Sequence, residues 1–176
     1  RDALDHSGVA STHELLSRAE RGALQEKARQ QLELTEAQRK PLLKLLAART
    51  SGLLNAADVG RDASLPHTTL TRYLTLLETV FLVHRLPAWS RNLGKRLVKA
   101  PKVHLADTGL ACHLIGADAQ RLSVDRPLMG RVLETFVVSE LRKQVSWASL
   151  RVTLYHFRTA TGLEVDIVLE KADGTV

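Results

Sequence analysis

Among the carboxylates of this chain, Glu134 and Asp166 combine residue type and placement in a way that suits chemistry. On a helical projection Glu134 falls between Leu141 and Val145, inside an apolar arc and away from the side carrying Arg131, Thr135 and Arg142. In the strand-like run 163–170, Leu163, Val165, Ile167 and Leu169 share one face, which leaves Glu164, Asp166, Val168 and Glu170 on the other. Two carboxylates converging from a helix and a hairpin suit a hard cation such as Mg²⁺, which takes oxygen ligands and activates water against a phosphodiester. Plainer readings of the same residues stay open: Glu134 pairing with an arginine such as Arg158, Asp166 facing water on an edge strand, and Glu164 and Glu170 solvated. The seven histidines and Cys112 show no metal-ligand spacing, so zinc is not expected.

A second chemistry is cationic. Between Glu78 and Asp107 there is no acidic residue, while Arg85, Arg91, Lys95, Arg96, Lys99 and Lys102 supply six positive charges, as many as the whole chain's net charge of +6. Basicity confined to one segment is the electrostatic footprint of a polyanion binder. Just before it, Leu70, Tyr73, Leu74 and Leu77 recur at helical spacing and predict a buried face, which turns His67, Thr68, Thr71, Arg72 and Thr75 outward. Short polar side chains and an arginine on one helix face suit the major groove, with Arg72 able to take a guanine edge. Arg91, Lys95, Arg96, Lys99 and Lys102 would then lie along phosphates. The competing reading makes the two helices a packing unit and sets the basic segment against an acidic neighbour.

These residues need elements to hold them. Asn55 predicts the cap of a short helix, Ser64, Leu65 and Pro66 a turn, and 67–80 the outward-reading helix. Residues 81–89 and 96–105 read as two strands around a turn at 90–94, forming a wing. Asp107 or Thr108 caps a helix ending near Ile115, and 116–125 reads as a polar linker. Pro127 opens a long helix to about Trp147, and 154–159 and 163–170 are strands joined at Ala160, Thr161 and Gly162. Towards the amino end, 13–34 reads as an amphipathic helix with a thin, alanine-rich face, the one candidate for a dimerisation helix. Thr35 and Gln38 suggest a capping box before the Leu42–Ala47 helix. The expected fold is α+β and predominantly helical. It comprises an N-terminal segment 1–40, a winged helix-turn-helix at 41–115, and an incomplete α/β lobe of restriction-endonuclease type at 116–176.

With 176 residues, 44% hydrophobic and 25% charged, the chain is long and apolar enough to bury a core. One cysteine, no signal pattern and no apolar run of about 20 residues lead to the expectation of a cytoplasmic protein that does not enter the membrane. The chain starts at Arg1 and stops at Val176 within an unfinished strand pattern, so it is expected to be a piece of a longer protein.

The run LPHTTLTRYLTLLETVFLVHRLPAWSRNLGKRLVKAPKVHLADTGL, followed by VLETFVVSELRKQ and LYHFRTATGLEVDIVLE, resembles the C-terminal region of a widespread group of uncharacterised prokaryotic AAA-type ATPases. The resemblance covers residues 42–176 and implies a P-loop ATPase domain ahead of a winged helix and a lobe similar to PD-(D/E)XK nucleases. Glu134 and Asp166 fall on that lobe's helix glutamate and hairpin aspartate. The resemblance further implies a third element, an acid, one residue and a lysine, on a strand that would begin where this chain ends. Cleavage by this chain alone is therefore not expected, although Mg²⁺ fits the complete lobe. Gly94 and Lys95 are adjacent, but Trp89 and Arg96 occupy positions where a Walker A loop has glycine and Ser or Thr. ATP is thus expected to bind the absent domain and not this chain, and the expected partners are DNA and that ATPase domain.

Overall fold

Five of the described helices begin where an Asn or Asp side chain accepts from their first amide groups, so these caps are where sequence becomes architecture. In the computed structural model, which describes residues 36–159 and 161–176, helix α1 spans Glu36–Ala48, α2 Ala56–Asp62 and α3 His67–Thr79. Asn55 caps α2, its side chain accepting from the amides of Ala57 and Asp58. A tight turn through Ser64, in the left-handed region, leads to α3. Gly60 permits that turn's approach, because a Cβ there would lie 3.0 Å from the Leu65 carbonyl oxygen. Helix α3 buries Leu70, Tyr73, Leu74 and Leu77, the four residues its spacing predicts.

Strand β1, Val83–Leu86, pairs antiparallel with β2, Lys102–Leu105. The segment between them departs from a simple wing. Residues expected to start the second strand form helix α4, Leu93–Val98, because the Asn92 side chain accepts from the Lys95 amide and starts a helical turn. Strand β2 has every residue buried: β1 flanks it on one edge, and on the other Leu53 forms an isolated bridge with Lys102. On that second edge the Val103 amide donates to the Gly52 carbonyl, the Val103 carbonyl accepts from the Ser51 amide, and the strand becomes the centre of the fold.

Helix α5, Thr108–Ile115, is capped by Asp107 and ends at Gly116 in the left-handed conformation. The expected polar linker contains a further helix, α6, Ala119–Val124, started by Asp118 accepting from the Arg121 amide. Helix α7, Arg126–Trp147, opens with Pro127, as its sequence predicts. Strands β3, Val152–Arg158, and β4, Glu164–Lys171, form an antiparallel hairpin with an irregularity between Tyr155 and Phe157. Among the described residues there are thus seven helices and two two-stranded antiparallel sheets, an α+β fold. The amphipathic stretch 13–34 and Thr35 lie outside the described residues.

The expected division after residue 115 is crossed by shared structure. Leu86 packs in one core cluster with Val138 and Leu154, joined by Leu141, Val145 and Ile167. Ala88 bridges His156 in parallel, with the Trp89 amide donating to the His156 carbonyl at 2.6 Å. Helix α7 turns the arc of Glu134, Leu141 and Val145 inward, as its apolar pattern predicts, with one departure. Thr135, expected outside, is fully buried, while Leu133, Phe136 and Val137 are exposed. The reason is a polar chain: Thr135 Oγ1 lies 2.9 Å from Thr50 Oγ1 and 3.1 Å from His104 Nδ1, and Thr50 Oγ1 accepts from the Leu105 amide. Hydrogen bonding outweighs the apolar count once the threonine has partners. No helix among the described residues is long and apolar enough to cross a membrane.

Candidate nucleic-acid interface and the acid–lysine cluster

The outward face of α3 carries His67, Thr68, Thr71, Arg72 and Thr75, all exposed and all on one helix with no acid in its first turn. The hydroxyls of Thr71 and Thr75 donate back to the carbonyls of His67 and Thr71, at 2.9 and 3.1 Å. Their oxygens therefore face outward chiefly as acceptors. Of the six cations in the acid-free segment, Arg85, Arg91, Lys95 and Lys99 are exposed. Lys99 also reaches the Arg158 carbonyl at 3.4 Å and lies 5.9 Å from the Phe157 ring centre. Arg85 is already engaged in two hydrogen bonds to Glu78, each 2.5 Å.

Two expected phosphate contacts are placed otherwise. Arg96 is 14% exposed, and its guanidinium makes two 2.6 Å bonds to Glu170 while donating through Nε to the Ser90 carbonyl. It lies 5.6 Å from the Trp89 ring centre and 5.0 Å from that of Tyr155, in cation–π range of both. Trp89 Nε1 also donates to Glu170, at 3.1 Å. The Arg96 hydrogen bonds hold the Glu170 carboxyl below its usual range, so Glu170 is a committed counter-ion and not the solvated acid its strand position suggests.

Lys102, the second, is 4% exposed at its side chain and sits among three acids. Its Nζ lies 2.8 Å from Glu134, 2.6 Å from Glu164 and 2.9 Å from Asp166. An ammonium has three N–H donors, so this one is fully used and none remains for a phosphate. It lies here because Lys102 and His104 alternate on the face of β2 that meets α7, while β4 presents Glu164 and Asp166 from the other side. Burial pulls the Lys102 ammonium down, but the three carboxylates outweigh it and hold the group above its ordinary range. Burial pushes Glu134 up, with Lys102 pulling against it and the Asp166 charge adding to the rise. Glu134 is thus partnered by Lys102, and Arg158 by Glu164 at 3.5 Å. Asp166 is the open member, with its side chain 60% exposed.

Geometry therefore brings Glu134 and Asp166 together, as their placement predicts, around a cation that the sequence did not place there. Among the described residues no group of three His, Cys, Asp or Glu is arranged to hold a metal ion. The Lys102 ammonium already bridges the two acids that a hard cation would bridge. Beside the cluster, burial pushes His104 down to about 3, reinforced by the Lys102 charge. Burial also lowers His156, although its Nε2 lies 3.2 Å from the Ala100 carbonyl oxygen. His104 is thereby neutral in the fold near pH 7. These histidines carried no signal in the sequence beyond their type, because what marks them is burial beside strand and helix partners far away in the chain.

The fold and site define an α+β chain in which a two-helix unit with an exposed polar helix is fastened, through buried ion pairs, to a helix and an acidic hairpin. The chain belongs to the family described as "Domain of unknown function (DUF8612)", whose family model matches residues 14–121. A second family, "Domain of unknown function (DUF4143)", matches residues 129–176. "Uncharacterized protein Mb2031c" of Mycobacterium bovis and "Uncharacterized protein Rv2008c" of Mycobacterium tuberculosis are each 34% identical to it over 127 residues. That stretch is 72% of this chain and 28% of each relative, so the match spans well under a third of their length.

Proposed function

We propose that this chain is a nucleic-acid-binding module of a longer protein, with α3 as the element that enters the major groove of duplex DNA. The observation that carries the reading is the α3 surface: one face buried by four large residues, the other exposing His67, Thr68, Thr71, Arg72 and Thr75. Arg91, Lys95 and Lys99 supply the phosphate contacts, which position without reading sequence. In this reading β1, α4 and β2 make a winged-helix variant, and α7 with the hairpin is a nuclease-like lobe whose acids are neutralised by Lys102. The lobe stays without cleavage activity in this chain, Mg²⁺ belongs to a complete version of it, and a P-loop ATPase domain lies elsewhere in the longer protein. Replacing Thr71 and Arg72 with Glu tests the reading by fluorescence anisotropy on a labelled duplex. At least a tenfold loss of affinity is expected, and unchanged binding would remove α3 from the account.

A second reading is favoured by Arg96 and Lys102, whose charges are spent on Glu170 and on Glu134, Glu164 and Asp166 within the chain. In it the basic segment serves internal docking, and the module meets an ATPase domain or another protein through apolar anchors such as Leu133 and Phe136, both exposed on α7. Salt separates the two, since phosphate binding weakens steeply with counterions and an apolar interface changes little.

A further inference from the structure

The acids of β4 are divided between its two faces. Cross-strand pairing sets Glu164 opposite Arg158 and Glu170 opposite Thr153, and the irregularity between Tyr155 and Phe157 places these two acids on opposite faces of the hairpin. The basic segment of the same chain meets both: Lys102 is withdrawn onto Glu164 and Asp166, and Arg96 onto Glu170. The two engagements differ in kind. Lys102 lies in the interior among three acids and cannot leave without stranding buried Glu134. Arg96 sits on helix α4, held by Glu170, the Ser90 carbonyl and two aromatic faces. Its neighbours Lys95 and Lys99 in the same segment are exposed. A bidentate carboxylate is the partner a phosphate most closely replaces, because both present two oxygens to the guanidinium fork.

We propose that Glu170 is a built-in competitor for nucleic acid, holding Arg96 in a latch that the phosphate backbone opens by taking the place of the carboxylate. The inference rests on the nucleic-acid reading and adds to it a regulation: the chain binds duplex with Arg91, Lys95 and Lys99, while Arg96 joins only when Glu170 lets go. The cost of breaking the internal pair lowers the affinity of the wild-type chain and leaves it tunable by whatever displaces the hairpin. Trp89 reports the event, because its Nε1 donates to the same carboxylate.

The test is a cycle of Glu170→Gln, Arg96→Gln and the double variant, with affinity for a random-sequence duplex measured by anisotropy across a salt series. Glutamine keeps the shape and the oxygen that Trp89 needs while removing the charge that holds Arg96. The wild-type chain must break the Arg96–Glu170 pair to place Arg96 on a phosphate and the variant need not, so Glu170→Gln should bind about five- to tenfold more tightly at ~0.1 M salt. In the Arg96→Gln background the gain should vanish. Unchanged binding in Glu170→Gln, with the wild type binding, overturns the latch and leaves the reading standing. A gain that persists without Arg96 overturns it too, assigning the effect to general charge. No binding by the wild type or Glu170→Gln sinks the reading and the latch together. Should Glu170→Gln fold poorly, Trp89 emission decides in the Trp147→Phe chain, whose remaining tryptophan is Trp89; Trp147 itself is 72% exposed. Saturating duplex should shift that emission, and an unmoved spectrum overturns the latch.

Discussion

Replacing Lys102 with Met removes one charge from the centre of the fold and leaves three carboxylates facing one another. The side chain is nearly the right length, so the change is electrostatic before it is steric. Glu134 loses a 2.8 Å partner at a site where its own side chain is 14% exposed. Glu164 keeps Arg158, and Asp166 is largely in water, so most of the cost falls on Glu134. Removing one partner of a buried ion pair costs ~3–5 kcal/mol. The partial exposure of the other two acids places this case near the low end, at about 3 kcal/mol. With a urea dependence of ~2 kcal/mol per molar for a unit of this size, the unfolding midpoint should fall by roughly 1.5 M. Equilibrium urea unfolding followed by far-UV circular dichroism measures it. The double variant Lys102→Met with Glu134→Gln should recover most of the loss, because the stranded buried charge is gone. A single variant that loses less than about 1 kcal/mol, or a double variant no better than the single, would refute the placement of Lys102 as the counter-ion of Glu134.

Two other predictions concern stability. His104 is neutral in the fold with its pKa near 3 and titrates at ~6.5 once unfolded, so its contribution is complete above pH ~6.5 and is lost as the pH falls towards 3. At pH ~4.5 that loss is about 2–3 kcal/mol, and His104→Asn should flatten the measured slope between pH 7 and 4.5 by an amount of that order; an unchanged slope would show that burial of His104 is not the cause. Asn55→Ala removes the side chain that accepts from Ala57 and Asp58, and urea unfolding should report a loss of about 1 kcal/mol, with no loss meaning that α2 does not depend on its cap.

What was legible in the sequence was local. The buried face of α3, the caps at Asn55 and Asp107 and the proline start of α7 all follow from spacing within one or two turns, where the residues that decide are the residues in view. Helix α4 was hidden inside the expected wing because a run rich in Lys, Arg and Val suits either state, and Asn92, the residue that decides it, reads equally as a turn former. Thr135 was misplaced because an apolar projection cannot count a hydroxyl whose partners, Thr50 and His104, lie 85 and 31 residues away. At the site, sequence brought Glu134 and Asp166 together but left Lys102 and Arg96 among the exposed cations. Their partners are 32 to 74 residues distant, and charge localisation alone is silent on whether a cation meets a phosphate or a carboxylate of its own chain.

The measurement that bears most directly on the central claim is the salt dependence of binding to a random-sequence duplex by the wild-type chain. Three exposed cations on phosphates, Arg91, Lys95 and Lys99, correspond to a log–log slope of roughly −2.7, rising towards −3.6 as Arg96 leaves Glu170 for a phosphate. A slope in that range, lost when Lys95 and Lys99 become Glu, is the expected result. Absent binding at low salt, or an affinity indifferent to salt, would contradict the account and favour a protein surface as the partner.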